Sequence, residues 1–136
     1  MDLDRVLLIS AAGMKVQGAR LKVIAENLAN ANSTGETPND LPYRRKTISF
    51  KNELDRELGI DTVRVRKVDV DPGDFQRRFD PSHPSADAEG YVLFPNVNTL
   101  VEGVDMREAQ RSYEANLNVI ETSRTMLNRT IDILRS

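Results

Sequence analysis

The placement of proline divides this chain of 136 residues into three parts. All six prolines lie between Pro38 and Pro95, so none interrupts the first 37 residues or the last 41. Proline breaks a helix interior because it lacks an N–H donor and because its ring clashes with the preceding turn. Long uninterrupted helices are therefore confined to the two ends of the chain.

A helical hydrophobic period runs through the N-terminal part, over residues 3–31. Positions taken at alternating spacings of four and three residues are apolar in seven of nine cases, which is the pattern of a helix packed along another helix. At 1.5 Å per residue this helix would be about 43 Å long. An asparagine-rich stretch and a glycine, which we call the helix-stop motif, predict its end, with Gly35 as the expected cap. The motif consists of Asn27, Asn30, Asn32 and Gly35.

The C-terminal part, residues 97–134, repeats the pattern. Thr99 and Glu102 have the spacing of a capping box, which predicts that the regular helix begins there. Seven of the nine positions at the same alternating spacing, which we call the seam of each helix, are again apolar. From Glu102 to Leu134 the helix would be about 50 Å long, which is more than a middle of sixty residues could cover.

Assembly with other copies is one interpretation of these two seams. Apolar residues off the seams, among them Val16, Val23 and Ala109, predict a second stripe that a neighbouring subunit would cover. A closed intramolecular coiled coil is the other interpretation, since scattered surface apolar residues are normal, and periodicity leaves both open. The seam residues predicted to form the assembly interface are Leu7, Met14, Leu21, Ile24, Leu28, Met106, Tyr113, Leu117, Ile120, Leu127, Ile131 and Leu134.

The proline-containing middle reads as a small, mostly antiparallel β unit with long loops. Asp71-Pro72-Gly73 is a turn signal between strands. The predicted fold class is therefore α+β, with long N- and C-terminal helices in a coiled coil or bundle around a β-rich middle. The expected domains are residues 1–35, 36–95 and 96–136. Candidate strands, chosen for β-branched and aromatic content with period-two alternation, are residues 47–50, 63–70, 75–79 and 91–94.

Composition gives little support for catalysis or for metal binding. The chain has no cysteine, and its one histidine, His83, is expected to be a solvent-exposed loop residue. A zinc site would need further His or Cys ligands. We therefore expect no catalytic residue, cofactor, metal or small-molecule substrate. The aspartates that could suggest calcium lack the spacing of a calcium-binding loop: Asp69, Asp71, Asp74, Asp80 and Asp87.

Charge indicates neither nucleic acid nor membrane as a partner. The chain carries 19 Lys and Arg against 21 Asp and Glu, a net charge of −2, so it lacks the positive face that nucleic acids require. The basic clusters at 44–46 and 64–67 are expected to lie at strand edges or to pair with an acidic face of a neighbouring subunit. The start of the chain lacks the pattern of a cleaved signal peptide, and no window has the ~18 apolar residues of a membrane span.

Several stretches resemble the flagellar rod, hook and related axial proteins. Residues 20–32, Arg-Leu-Lys-Val-Ile-Ala-Glu-Asn-Leu-Ala-Asn-Ala-Asn, are similar to the N-terminal signature of that family. The insertion at 36–42, before Tyr43-Arg44-Arg45-Lys46, narrows the resemblance to the proximal rod proteins of the bacterial flagellar basal body. The other matching stretches are 80–87, 89–92, 95–98, 112–117 and 125–127.

This resemblance implies a structural role without enzymatic activity. Proteins of this kind polymerise helically into the rod, with terminal helices lining the inner tube and the β middle outside. The implied partners are other rod subunits, proteins of the junction between the rod and the inner-membrane ring, and the flagellar export apparatus. The implied location is the periplasmic rod, reached without a cleaved signal. The main alternative is a soluble helical adaptor with an intramolecular coiled coil and a middle that binds a partner.

Overall fold

The computed structural model describes residues 2–57 and 59–136 and shows an α+β chain, as predicted. In this described part of the chain, long helices lie at both ends and four strands lie between them. Neither helix has an apolar stretch that could span a bilayer, within these described residues. The elements in chain order are α1 (Leu3–Ala29), β1 (Lys46–Asp55), β2 (Ile60–Val70), β3 (Gln76–Phe79), β4 (Tyr91–Phe94) and α2 (Thr99–Arg135).

The four strands form two separate two-stranded sheets, β1 with β2 and β3 with β4. β3 and β4 pair antiparallel, with Gln76 opposite Phe94 and Phe79 opposite Tyr91. Side chains alternate between faces along a strand, and accordingly Val92 is buried while its neighbours in β4 are more exposed. The predicted turn joins β2 to β3, and its Asp71 Oδ1 accepts a hydrogen bond of 2.8 Å from the Gly73 N–H.

The caps of both helices differ from the sequence prediction. Asn98 begins α2, since its Oδ1 accepts hydrogen bonds from the N–H groups of Leu100 (3.1 Å) and Val101 (3.3 Å). The predicted capping box is wrong, because the side chain of Glu102 bonds to Asn27 and Arg45 instead. Gly35 does not cap α1, which ends at Ala29.

The chain divides into two compact units, and each contains residues of both helices and of strands. Unit 1 comprises Met1–Leu21, Ser49–Lys67 and Arg107–Ser136, and unit 2 comprises Lys22–Ile48 and Val68–Met106. The predicted domains 1–35, 36–95 and 96–136 describe roles in assembly and stay a prediction.

Burial inside the units corrects one expectation about the helices. Val16 and Ala109 are buried in unit 1, and Val23 is buried in unit 2. The prediction that these three belong to a stripe left for a neighbouring subunit is therefore wrong. Val16 lines a groove with Thr62–Val65 of β2, so a strand occupies the side of α1 that a two-helix interpretation leaves open.

Glycine is required at position 35 because Asp40 lies close to its Cα, and not because it caps a helix. A Cβ at this position would lie 2.6 Å from both the Cβ and the carbonyl oxygen of Asp40. Gly35→Ala should therefore lower the free energy of unfolding by about 1–3 kcal/mol, the usual cost of overpacking. Gly18→Ala is the matched control, because nothing lies within 4 Å of its added Cβ, and it should raise stability by about 1 kcal/mol. Urea denaturation followed by circular dichroism measures both, and equal effects would contradict the close approach.

Candidate assembly interface

The side chain of Asn27 joins the end of α1 to the start of β1. It is 1% exposed, and its Nδ2 donates to the Lys46 carbonyl at 2.9 Å. Its Oδ1 accepts from the Lys46 N–H and from the Tyr43 hydroxyl, each at 2.8 Å. A buried amide needs such partners, because leaving them unpaired costs about 1–3 kcal/mol. Asn27 thus makes the two backbone hydrogen bonds with Lys46 that a neighbouring strand would otherwise make.

Glu102 extends this network to the start of α2. It is also 1% exposed, and it accepts hydrogen bonds from Asn27 Nδ2 at 3.3 Å and from Arg45 Nε. Arg45 in turn pairs with Asp71 at 3.3 Å. The hydrogen bond with Glu102 raises the pKa of Arg45 above its usual value. Buried charges persist in proteins when they are paired in this way, so the network fixes α1, β1 and α2 together within unit 2.

A more exposed ion pair lies at the edge of the same network. Lys46 Nζ is 2.9 Å from Glu26 Oε2. Hydrogen bonding between them raises the pKa of Lys46 and lowers the pKa of Glu26. Burial raises the pKa of the neighbouring Tyr43. Both members of the ion pair are more than a third exposed, so solvent screens their attraction. The buried hydrogen bonds of Asn27 and Glu102 therefore contribute more to holding α1, β1 and α2 together.

His83 also belongs to unit 2 and is half-buried, which corrects the expected exposed loop residue. Its Nδ1 accepts a hydrogen bond of 3.0 Å from the Ser85 N–H, and its Nε2 is 3.4 Å from Thr34 Oγ1. Its ring lies 6.2 Å from that of Phe94. These contacts hold two loops of unit 2 together. No group of three His, Cys, Asp or Glu side chains in the described parts of the chain could hold a metal ion.

In unit 1, α1 and α2 run antiparallel, and polar side chains take part in their pairing. A Cβ on Gly13 would lie 2.8 Å from Asn116, and Arg20 pairs with Glu108 at 3.5 Å. Among the described residues, the one buried side-chain polar atom without a hydrogen-bond partner is Gln17 Oε1. Ser10 and Ser123 are also buried in this unit.

The end of α2 extends beyond its partner helix. Since α1 begins at Leu3 and α2 continues to Arg135, their antiparallel register leaves roughly the last two turns of α2 without an α1 residue opposite. Leu127, Ile131 and Leu134 continue the face that carries buried Ser123, at helical spacings of four, four and three. Together with Ile133 they form what we call the α2 tail, and all four are exposed, Leu134 by 80%.

The residues predicted for the assembly interface thus fall into two groups. One group contributes to the fold itself: Ile24 is buried, and Leu7, Met14, Leu21, Leu28, Met106, Tyr113 and Ile120 are half-buried. The other group is exposed and consists of Leu117 at the middle of α2 and of Leu127, Ile131 and Leu134 near its end. In the helix-stop motif, Asn27 anchors β1, the Nδ2 of Asn30 donates to the Glu26 carbonyl at 2.9 Å, and Asn32 is exposed.

Sequence reasoning missed the anchoring network. The sequence pattern predicts a strand edge or a subunit contact for Arg45 and a local helix cap for Glu102. The available signal was chemical: a carboxylate and an amide, Glu102 and Asn27, stand among apolar residues near the inner ends of the two helices. Such residues are rarely buried unless they are paired.

Comparison with known proteins identifies the family. A family model described as "Flagella basal body rod protein" matches residues 7–35, and one described as "Flagellar basal body rod FlgEFG protein C-terminal" matches residues 88–133. The chain is 52% identical over 128 residues to the flagellar basal-body rod protein FlgC of Agrobacterium fabrum, covering 94% of this chain and 92% of that protein. It belongs to the FlgC family of flagellar basal-body rod proteins.

The similarity to the FlgC family extends across distant bacteria. Identity is 37% to the FlgC protein of Borreliella burgdorferi, covering 99% of both chains. It is 35% to that of Bacillus subtilis, covering 92% of this chain and 93% of the relative. The chain is therefore a structural rod protein of the flagellar basal body, and the resemblance read from residues 20–32 and 80–127 is confirmed.

The buried ion pair of Glu102 gives a stability prediction for this FlgC-family chain. Glu102→Ala removes the main partner of Arg45 but leaves its pair with Asp71, so it should cost about 1–3 kcal/mol, the usual cost of breaking a buried hydrogen-bonded network. Glu114→Ala is the control, since Glu114 is exposed on the same helix and should change stability by less than about 0.5 kcal/mol. Urea denaturation measures both variants. Similar midpoints would show that the network does not stabilise unit 2.

Asp87 gives a prediction about pH. Its Oδ1 accepts hydrogen bonds of 2.9 Å from the N–H groups of Tyr91 and Glu89, and the bond from Tyr91 is the main cause that lowers its pKa. A lowered carboxyl pKa stabilises the fold above the unfolded value of about 3.9, and this contribution is lost as the pH falls through the folded value. Asp87→Asn should therefore flatten the loss of stability between about pH 5 and pH 3.

Urea midpoints measured across that range test the Asp87 prediction. Asp61→Asn makes the same change of charge at an exposed position of β2 and serves as the control. If the urea midpoints of wild type and Asp87→Asn fell equally with pH, the predicted contribution of Asp87 to the pH dependence would be contradicted.

Proposed function

We propose that this chain polymerises helically into the proximal rod of the flagellum through its terminal helices, and that it has no enzymatic activity. The observation that carries the proposal is the α2 tail, where Leu127, Ile131 and Leu134 continue the face of buried Ser123 past the first residue of α1. Full burial of such a side chain contributes roughly 1.5–3 kcal/mol. Covering the tail by a neighbouring subunit would therefore contribute several kcal/mol to assembly.

The character of the helix seam supports the same proposal. Within unit 1 the paired helices bury Ser10, Ser123 and the unpartnered Gln17 Oε1, while Val119, Met126 and the α2 tail remain exposed. The same helices also bury Val16 and Ala109, but a self-sufficient coiled coil places its whole apolar stripe inside, so the apolar side chains left outside favour a further neighbour. The alternative of a closed helical adaptor explains the antiparallel pairing but leaves the exposed tail without a role.

Family membership supports a proposal about the partners and the location. We infer that the chain contacts other rod subunits and proteins of the junction between the rod and the inner-membrane ring. We also infer that it passes through the flagellar export apparatus without a cleaved signal and occupies the periplasmic rod. The names of its relatives, all flagellar basal-body rod proteins, support this inference.

Substitution within the α2 tail tests the proposal. Ile131→Asp introduces a carboxylate at a position where the native side chain is already 44% exposed. The isolated fold should therefore lose little stability. Burying that charge in an assembly is costly, so rod formation and motility should be lost. Asn128→Asp, an exposed position one turn away, is the control and should remain motile. Swimming in soft agar and recovery of basal bodies are the readouts.

Outcomes of this experiment separate assembly from folding. Circular dichroism should show the same helix content for Ile131→Asp as for wild type. Normal motility with Ile131→Asp would count against the interface. Leu21→Asp and Ile120→Asp are also expected to block assembly, but both side chains are half-buried, so loss of stability contributes to their effect.

A further inference from the structure

One edge of the small sheet in unit 2 lies along β3. In an antiparallel pair, opposite residues alternate between bonding to each other and turning their backbone groups outward. The Asp80 N–H donates to the Gly90 carbonyl at 2.9 Å, one step beyond the opposed pair Phe79 and Tyr91. The N–H and C=O groups of Arg77 and Phe79 therefore point away from β4. In the described part of the chain, neither another strand nor a loop hydrogen bond occupies this edge.

The other edge of the same sheet is capped by the chain itself. Tyr91 in β4 also turns its backbone groups outward, but its N–H donates to Asp87 Oδ1 at 2.9 Å. Its carbonyl accepts from the Asp87 N–H, also at 2.9 Å. Proteins cover or cap sheet edges in this way because an uncovered edge pairs with other chains. The sheet is thus capped beside β4 at Tyr91 and open along β3.

The side chains of β3 do not cover its open edge. All four residues of β3 are exposed. The guanidinium carbon of Arg77 lies 4.5 Å over the ring of Tyr91, and that of Arg78 lies 4.4 Å over the ring of Phe94. The ring of Phe79 is 5.4 Å from that of Tyr91. Charged side chains can protect an edge strand, but here the long side chains lean over β4 and leave the outward backbone groups exposed.

Arg78 indicates which side chain a neighbouring strand would present. Its Nη2 donates to the neutral Oε1 of Gln76 at 3.3 Å, and it forms no ion pair with any described residue. Asp80 is the next acidic residue on the same face of the strand, and its Oδ1 accepts a hydrogen bond of 2.8 Å from Ser82 Oγ. An acidic residue on an added strand, directly across from Arg78, would be attracted to this guanidinium, since opposite charges across neighbouring strands stabilise a sheet.

Arg77 lies on the opposite face of β3 and differs from Arg78 in this respect. Its Nη2 is 3.9 Å from carboxylate oxygens of both Asp87 and Glu89. Acidic groups of the chain therefore already accompany the positive charge on that face. The cation left for a partner is Arg78.

We propose that the open edge of β3 is a docking site at which an extended segment of a partner protein adds as a third strand, with a carboxylate across from Arg78. In strand addition, main-chain hydrogen bonds provide affinity and alternate side chains provide specificity. A second copy joined β3 to β3 would pair residue 77 with residue 79 and place Arg78 opposite Arg78, and like charges at that position are destabilising. The proposal goes beyond the proposed function, because it concerns a surface that the terminal helices do not form.

Amide hydrogen exchange with defined peptides tests the docking edge on the wild-type chain. The probe is a blocked peptide of threonine and valine with one central glutamate, and the control peptide has lysine in its place. NMR should show slower exchange at the amides of Arg77 and Phe79 with the glutamate peptide in excess. The amide of Tyr91 already bonds to Asp87 and should not change. Unchanged exchange at Arg77 and Phe79 would overturn the proposal.

A proline substitution tests the backbone contact separately from the side chain. Arg77→Pro removes an outward N–H, at a position where an edge strand tolerates proline, and should weaken binding of the glutamate peptide about two- to tenfold, as for one lost hydrogen bond. Arg77→Ala is the matched control, because it also loses the contact with Tyr91 but keeps the N–H, and it should bind the peptide as wild type does. Equal binding by the two variants would contradict strand addition.

Reversing the charge of Arg78 tests the side-chain preference. Arg78→Glu should weaken binding of the glutamate peptide about two- to fivefold, the range of one cross-strand charge pair, and should favour the lysine peptide. Arg78→Gln should bind both peptides equally. A preference for the glutamate peptide that persists in Arg78→Glu would show that the assigned partner charge is wrong.

Swimming in soft agar relates the edge to the working flagellum. As the sole copy, Arg77→Pro should swim less well than Arg77→Ala. If both swim as wild type while Ile131→Asp does not, assembly through the α2 tail stands and the docking role of β3 is wrong. If Arg77→Pro is defective while Ile131→Asp swims normally, the docking edge stands and the proposed assembly interface is wrong.

Discussion

The buried amide of Asn27 is the interaction on which unit 2 depends. One side chain bonds to both the N–H and the carbonyl of Lys46, which is what a neighbouring strand would do. It also bonds to Tyr43 and Glu102. Apolar contacts tolerate small shifts, whereas a buried hydrogen-bonded amide does not, because a lost partner leaves a desolvated group. The start of β1 and the start of α2 are thereby held at one position along α1.

Local patterns in the sequence were sufficient to predict the elements of the fold. The proline-free ends became α1 and α2, and β4 occupies the predicted residues 91–94, because helix and strand periods report how one segment faces a core. Predicting partners required information about distant segments. Glu102 has the spacing of a capping residue, yet Arg45 and Asn27 bind it from 57 and 75 residues away, and Asn98 caps the helix in its place.

The same distinction explains the predicted interface. Periodicity identified which residues of α2 are apolar and share a face, but it could not show that α2 extends past the start of α1 in their antiparallel pairing. Half-buried Tyr113 and Ile120 and exposed Ile131 and Leu134 therefore follow one helical pattern with different surroundings. Burial of Val16 beside β2 was likewise hidden, since the strand that lines its groove is more than forty residues away in the chain.

The apolar side chains of α2 are distributed differently from those of a helix that packs only within its own chain. Exposed apolar side chains lie near both of its ends, Leu100, Val101 and Val104 at the first and Leu127, Ile131 and Leu134 at the last. Between the two ends, Ala109 and Ser123 are buried and Tyr113 and Ile120 are half-buried. The middle of the helix is therefore part of the fold, while apolar surface is left at its ends. Such surface is typical of sites where another protein binds, and a structural rod subunit needs sites of that kind.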